Sequence, residues 1–200
     1  MGKEGGLSIK TEGPSVLMET YCMTLLNVFK LLGPSGNSFI IHSKRVSYLS
    51  YKLSKALGLT DEDILYVRMA GLVHDIGHMA IDRRILLKSE SLTAQEYELM
   101  KLHPSKGEEL LNSIKELKEI ADIVSQHHER IDGAGYPMGL KEKGIKKAAR
   151  IISIAEAYDS MVSEYSYKKP ISKDMAIDEL IKCRGSQFDE DVVESFIKIL

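Results

Sequence analysis

The amino-acid sequence predicts an all-α domain. Apolar residues recur at helical spacing over most of the 200 residues, and capping residues and glycines separate these segments. The chain contains no convincing run of alternating apolar and polar residues and no internal repeat. With 44% hydrophobic and 28% charged residues, it has an ordinary globular composition and is long enough to bury a substantial core as one domain.

The predicted domain begins after a short polar lead-in. Residues 1–13 are rich in Gly, Lys and Glu, and we expect them to form a flexible N-terminal segment. A single domain is predicted over 14–200, with a leading helix region at 14–35 and a core at 36–200. Pro14 can occupy the first turn of the leading helix, and the sequence GPSGN breaks that helix.

Capping residues and glycines delimit the helices that follow. Gly58 ends the second helix, and Thr60 caps a third helix whose acidic first turn suits the helix dipole. Ser172 and Asp189 begin the last two helices, and Gly185 stops the first of these. The nine predicted helices cover 14–32, 38–57, 61–78, 92–103, 104–114, 116–128, 146–162, 172–183 and 189–200.

Composition and charge argue against several classes of protein. The net charge is −2 and the basic residues are scattered, so we expect no binding of duplex nucleic acid. A phosphate-bearing ligand would have to be held locally, by metal ions or a few cations. The apolar runs are too short to span a bilayer, so no membrane insertion is expected. Cys22 and Cys183 lie far apart in a chain without a secretory signal, which predicts a cytoplasmic protein without disulfides.

Six histidines are placed in a way that suggests a metal centre. Two motifs are adjacent pairs, His74–Asp75 and His127–His128, and each follows apolar residues at a predicted helix end. Packing of those apolar faces would bring the flanking imidazoles together. Neighbouring helical residues point about 100° apart, so an adjacent pair suits two nearby ions better than one. The six are His42, His74, His78, His103, His127 and His128.

Each histidine taken singly also has an ordinary structural interpretation. His42 lies on an apolar helix face and could be a hydrogen-bonded core residue. His103 could end a helix, because the residue before a proline such as Pro104 avoids helical geometry. His127 or His128 could face the negative end of a helix dipole.

A buried acid is predicted within the most apolar helix. Asp159 lies in the middle of Ile151–Val162, where an unpaired carboxylate would be strongly unfavourable. It therefore requires either a salt bridge to a lysine or arginine, or a metal ion. A set of His and Asp ligands without cysteine suits Fe, Mn or Zn better than Mg. Two ions about 3.5–4 Å apart are a common device for cleaving phosphate esters.

Six segments of the chain carry a recognisable set of motifs. They are, in order, HSKRVSYLSYKLSKALGL, HDIGH, LHPSKGEELL, QHHERIDGAGYP, IISIAEAYDSM and GSQFDEDVVESF. HD alone is a weak motif, whereas the long HHExxDGxGYP string is specific. Together the segments resemble the HD-GYP phosphodiesterases, an α-helical subgroup of the HD superfamily of metal-dependent phosphohydrolases. The resemblance runs from about residue 36 to the C-terminus and implies an HD-domain helical bundle.

This resemblance implies a metal-dependent phosphodiesterase with two divalent ions, Fe or Mn first and Zn as a third choice. The substrate would be a cyclic dinucleotide, cyclic di-GMP above all, although some members act on cyclic GMP-AMP. The nucleophile would be a hydroxide that bridges the ions rather than a side chain. Carried over by motif, one ion would be held by His42, His74, Asp75 and Asp159, and the second by His103, His127 and His128, with Asp75 bridging.

The resemblance also assigns catalytic and substrate contacts. Asp75 would act in catalysis as the bridging ligand. Gly135 would let the backbone approach the ligand closely, and Tyr136 would contact it. Without the histidines, the same loop would be a tight glycine turn with a packed tyrosine. His78 stands where the family usually has a lysine that contacts phosphate. An imidazolium there could donate a hydrogen bond or a proton, or the ring could be inert or a surplus metal ligand.

Two further positions depart from the family pattern. Ser38 stands where many members have a glutamate that supplies a third ion, which favours a site for two ions. Tyr165 stands where the family often has an arginine, so a bidentate contact to phosphate is lost. Lys168 keeps one cation for a phosphate group.

Three alternative functions follow from the same residues. A catalytically weak or inactive HD-GYP-like module could bind metal or nucleotide and act through partner interactions. An HD phosphohydrolase could cleave another nucleotide. The spacing of His74 and His78 is also that of the metallopeptidase motif HExxH, although an aspartate replaces the glutamate and Gly77 weakens the helix. Regulation is expected through a homodimer or a separate regulatory protein.

Overall fold

The computed structural model describes residues 14–32, 36–164 and 169–200. The predicted all-α class is confirmed, because these described residues form ten α-helices and three 3-10 helices and contain no β-strand. Expectations for residues 1–13, Tyr165 and Lys168 fall outside the described residues. The α-helices are α1 (Pro14–Leu32), α2 (Gly36–Ala56), α3 (Asp61–Val73), α4 (Arg83–Leu86), α5 (Ala94–Met100), α6 (His103–Asn112), α7 (Lys118–Val124), α8 (Lys147–Val162), α9 (Lys173–Lys182) and α10 (Glu190–Ile199). The 3-10 helices are Ile76–Ala80, Lys115–Leu117 and Glu142–Gly144.

Local capping signals predict the starts of several helices correctly. The side chains of Thr60, Ser172 and Asp189 each accept a hydrogen bond from the backbone N–H three residues later. The helices match their predicted bounds to within two residues at each end, except for the predicted ranges 61–78, 92–103 and 116–128. No described helix has both the length and the apolar character needed to cross a membrane.

The helix predicted over 61–78 is too long. α3 ends at Val73, and the chain continues through the 3-10 helix Ile76–Ala80. Gly77 in this 3-10 helix lies against the backbone of the first turn of α6. Gly77, which weakens a helix, thus lies at the turn after His74 and Asp75, and its missing Cβ lets this turn approach α6 closely.

The helices predicted over 92–103 and 116–128 are also too long. α5 has seven residues, and α7 ends at Val124 with turns over 125–128. His103 begins α6 instead of ending α5, because Pro104 fits the first helical turn, where its missing N–H costs no hydrogen bond. The short helix α4 is not predicted from the sequence.

The core forms where α2 packs against α3 and α8. Small residues let α2 and α3 approach closely. Ser47 donates a hydrogen bond to the carbonyl oxygen of Arg68 at 2.7 Å, and a Cβ added at Gly71 would lie 3.1 Å from the Ser47 Cα. This packing brings the first half of α2, the end of α3 and the last turns of α8 to one end of the bundle.

Candidate metal centre

The side chains of the candidate site come from the ends of several helices. His42 lies on α2, and His74 and Asp75 follow the end of α3. His103 is the first residue of α6, and the pair His127–His128 follows α7. All six histidines predicted from the sequence lie in one cluster, in which each ring centroid is within 5.4 Å of at least one other histidine ring.

The first group of donor atoms comprises His42, His74 and Asp75, whose ligand atoms all lie within 4.8 Å of one another. His74 Nδ1 donates to the carbonyl oxygen of Gly71 at 3.0 Å, which leaves Nε2 to face the Asp75 carboxylate at 3.3 Å. His74 Nε2 is buried without a hydrogen-bond partner. Burial disfavours a charged ring, but the adjacent Asp75 carboxylate outweighs it and raises the pKa of His74 to about 9. This position therefore attracts positive charge.

The second group comprises His103, His127 and His128. Nδ1 of His103 donates to the carbonyl oxygen of Met100 at 2.9 Å, and Nδ1 of His127 donates to that of Val124 at 2.6 Å. The two Nε2 atoms consequently face each other at 3.2 Å. Burial, followed by the neighbouring imidazoles, lowers the pKa of His103 to about 3 and holds those of His127 and His128 well below their usual value. Neutral rings with available lone pairs are the form that binds metal.

Asp75 lies between the two groups. Its Oδ2 faces His42 Nε2 at 3.9 Å and His74, whereas its Oδ1 faces His103 Nε2 at 3.5 Å. Burial alone would raise the pKa of this carboxyl, but the surrounding imidazoles, His74 first, hold it well below its usual range. One ionised carboxylate thus presents an oxygen to each group.

The described residues fit two divalent metal ions. Two groups of nitrogen donors share a carboxylate, and neither group contains a thiol. The hydrogen bonds from Nδ1 to backbone carbonyls are the outer contacts that usually fix the tautomer of metal-binding histidines. Unpartnered His74 Nε2 is a buried polar atom that an ion would satisfy.

Asp159 belongs to neither group of donor atoms. Its Oδ2 accepts a hydrogen bond from His42 Nδ1 at 2.7 Å. Arg45 donates to the same carboxylate through Nε at 2.5 Å and Nη2 at 2.9 Å. The sequence predicts either a salt bridge or a metal ion as the partner of this buried acid, and the structure contains the salt bridge to Arg45.

Glu156 is a site residue that the sequence reasoning overlooks. It lies three residues before Asp159 on α8, and its Oε1 is 3.6 Å from His128 Nε2. Burial raises the pKa of this carboxyl to about 8; the charge of His74 lowers it in part, and Asp75 and Asp159 raise it again. The i, i+3 spacing of two acids on an apolar helix is the signal that points to Glu156.

His78 forms a third group of donor atoms with Asp75 and His103. Its ring stacks on that of His103, with centroids 4.2 Å apart, and its Nδ1 is buried 3.3 Å from Asp75 Oδ1. Burial lowers the pKa of His78, and the Asp75 carboxylate only partly offsets this. The neutral imidazole is therefore favoured, which suits a hydrogen-bonding role better than proton donation.

A cleft of about 720 Å³ opens over these groups, and its walls include Asp75, His78, His128 and Tyr136. The ring of Tyr136 stacks on that of His128, with centroids 4.8 Å apart. A Cβ added at Gly135 would lie 2.4 Å from the Arg130 backbone nitrogen. This glycine therefore allows close approach to the chain's own backbone, and thereby places Tyr136.

Glu129 holds the loop that carries Tyr136, and this residue is also overlooked from the sequence. Its buried carboxylate accepts hydrogen bonds from the backbone N–H groups of Met138, Gly139 and Leu140 at 2.7, 3.1 and 2.9 Å. Since Glu129 directly follows His128, a single clamp links the shape of the loop to the second group of donor atoms.

Comparison with known proteins assigns the chain to a family. A family model described as HD domain matches residues 30–192, so the chain belongs to the HD domain family. The predicted HD-GYP relationship is confirmed by curated relatives. The chain is 38% identical to a cyclic di-GMP phosphodiesterase of Thermotoga maritima over 79% of this chain and 44% of the relative. It is 36% identical to the cyclic di-GMP phosphodiesterase response regulator RpfG of Xanthomonas campestris pv. campestris over 78% of this chain and 42% of the relative. The chain thus spans less than half the length of these two relatives.

A solved structure supports the same fold. Bd1817, an HDG"Y"P protein from Bdellovibrio bacteriovorus, superposes with a TM-score of 0.70 at 23% identity, over 92% of this chain and 61% of that chain. The helical HD-domain architecture predicted from the motifs is therefore confirmed.

Proposed function

We propose that this chain is a metal-dependent phosphodiesterase that hydrolyses a cyclic dinucleotide, with cyclic di-GMP as the first choice. The observation that carries the proposal is the pair of donor groups joined by Asp75 below the cleft. The cleft volume of about 720 Å³ lies within the range of roughly 300–1,000 Å³ found for small-ligand sites. The names of the two curated relatives support this choice of substrate.

The donor sets define how the chain would hold its cofactor. Two divalent ions, Fe or Mn with Zn as a third candidate, would supply an activated water and offset the charge of the phosphate when bound. Asp75 would contact both ions and is the proposed catalytic carboxylate. Glu156 would add a carboxylate beside His128. The imidazole ligands would be His42 and His74 on one side and His103, His127 and His128 on the other.

The charges around the cleft support a need for these ions. Arg45 and Lys88 both line the cleft, but each contacts a carboxylate, Asp159 for the arginine and Glu96 for the lysine. A phosphodiester would therefore meet no surplus of cationic side chains among the described lining residues. We propose that Lys168, which lies outside the described residues, adds one cation.

The walls of the cleft would position the substrate. Burial raises the pKa of Tyr136, so its hydroxyl stays protonated and can donate a hydrogen bond at neutral pH. The neutral ring of His78 can donate to a phosphate oxygen beside Asp75. Gly135 would contribute by letting the loop fold tightly enough to place Tyr136 against His128.

Hydrolysis of a nucleotide panel by metal-loaded protein tests the proposal. Protein purified without oxygen and loaded separately with Fe, Mn or Zn would be incubated with cyclic di-GMP, cyclic GMP-AMP and linear nucleotides. We expect hydrolysis of a cyclic dinucleotide, and loss of it in Asp75→Ala with metal-free folding unchanged. Metal-loaded protein that binds cyclic di-GMP without hydrolysing it would instead support a binding module, and cleavage of other nucleotides alone would support a different HD phosphohydrolase.

We also propose that the domain works in the cytoplasm and is regulated by a second copy or by a separate protein. The greater length of the two curated relatives supports a regulatory region in such enzymes. Light scattering of the purified chain, with and without cyclic dinucleotide, tests whether two copies of the chain associate. A monomer under both conditions would exclude the homodimer.

A further inference from the structure

We propose that Asp159 positions the metal ligand His42 instead of binding an ion itself. The inference rests on the proposed function, because it takes His42 as a ligand. Its starting point is the 2.7 Å hydrogen bond from His42 Nδ1 to Asp159 Oδ2. A carboxylate only accepts hydrogen bonds, so the ring proton stays on Nδ1. The lone pair of Nε2 then faces Asp75 Oδ2, 3.9 Å away.

Arg45 is the second reason to separate Asp159 from the ions. Its guanidinium contacts both oxygens of Asp159, through Nε and Nη2. An arginine is always charged, so an ion bound directly to this carboxylate would lie next to a fixed positive charge. The bidentate contact instead matches a carboxylate whose charge is already compensated. The side chain of Asp159 is 3% exposed, so water does little to screen the charge of its carboxylate.

The spacing along two helices explains how this arrangement forms. His42 and Arg45 are three residues apart on α2, so one face of the helix presents both to α8. On α8, Glu156 and Asp159 have the same spacing. Glu156 faces His128 at 3.6 Å, whereas Asp159 contacts the outer nitrogen of His42. The two acids of α8 thus have different roles, one beside the donor atoms and one behind a ligand.

The hydrogen bond can be measured directly by NMR. In 15N-labelled wild-type protein at pH 8, we expect His42 as the Nδ1–H tautomer with a downfield, slowly exchanging proton, both without metal and after loading with Zn. If Asp159 were a ligand, Zn would draw its carboxylate away and this proton signal would be lost on loading. That result would overturn the proposal without any variant, and it does not depend on hydrolysis.

Metal content of two variants at neighbouring positions gives an independent test. Asp159→Ala is expected to hold as many ions per chain as the wild type at saturating Zn, with about 10- to 100-fold weaker binding of one of them. His42→Ala should lose that ion, and Ser160→Ala should behave as the wild type. Loss of one ion from Asp159→Ala at saturation would contradict a positioning role. Wild-type protein that binds no metal would refute the proposed function, whereas the tautomer of His42 in metal-free protein would still report on the hydrogen bond.

Discussion

The substitution Gly77→Ala tests how tightly the turn of the HD motif is packed on the second group of donor atoms. A Cβ at Gly77 would lie 1.9 Å from the carbonyl oxygen of His103 and 2.5 Å from the backbone nitrogen of Gly107. Ordinary contacts of a Cβ begin at 3.4 Å. The difference between 3.4 and 1.9 Å means that the turn and α6 must separate by 1.5 Å. Both partners are backbone atoms, so no side-chain rotation can relieve the clash.

This displacement has a structural and a functional consequence. Overpacking typically costs about 1–3 kcal/mol, and the gain from replacing a glycine offsets at most about 1 kcal/mol. A net loss of about 2 kcal/mol corresponds to a fall in Tm of roughly 4–8 °C for a chain of this size. Metal–ligand distances tolerate deviations of about 0.2 Å, so His103 and Asp75 could no longer serve a common ion.

Thermal denaturation and metal analysis of Gly77→Ala measure both effects. The matched control is Gly144→Ala, because a Cβ there has as its nearest neighbour the Cβ of Leu140 at 3.9 Å. We expect a Tm within about 1 °C of wild type for the control. The reasoning is refuted if Gly77→Ala melts with the wild type and retains all of its bound metal.

Three further predictions concern the loop, pH and the ions. Glu129→Ala removes the acceptor of three backbone N–H groups, which should lower the free energy of unfolding by about 2 kcal/mol. The variant should have a raised KM and a smaller change in kcat, and Glu129→Gln should lie between it and the wild type. A KM equal to that of the wild type would contradict the role of Glu129 in holding the loop. Metal-free protein should have its highest Tm near pH 6.5. Below this pH the unfolded chain binds protons that the folded protein does not, because the folded-state pKa values of His103, His127 and His128 are lowered. Above it, the stability that comes from the raised pKa of His74 is lost as the pH rises to about 9. A flat Tm from pH 5 to 9 would oppose this. Chelation should lower the Tm and abolish hydrolysis together, and re-addition of Mn should restore both; a Tm insensitive to chelator would argue against bound ions.

Much of the fold follows from local sequence rules. The caps at Thr60, Ser172 and Asp189 depend on residues within one helical turn, so the sequence contains the whole signal for these helix starts. The end of α3 at Val73 does not. Gly77 marks a weak point in the predicted helix, but its close contact with α6 joins segments that are distant in the chain, so the local pattern does not reveal it.

The candidate site shows the same division. The approach of the pairs His74–Asp75 and His127–His128 is predictable, because each pair follows an apolar helix face that must be buried, whereas His42 and His103 are assigned to the site through the family resemblance. The partner of Asp159 is not, because Arg45 lies 114 residues away in the chain and a metal ion satisfies the same requirement. Glu156 is overlooked for a related reason, since one buried acid already accounts for the motif on α8. Only the packed structure shows which nitrogen each carboxylate faces.

The most direct test of the account is the number of ions bound per chain in wild-type protein and in two variants. Protein purified without oxygen and analysed for Fe, Mn and Zn should contain two ions per chain. His74→Ala and His127→Ala, one from each group of donor atoms, should each retain a single ion. A wild-type chain that binds no more than trace metal, or variants that bind as much as the wild type, would contradict the central claim that these side chains form a centre for two ions.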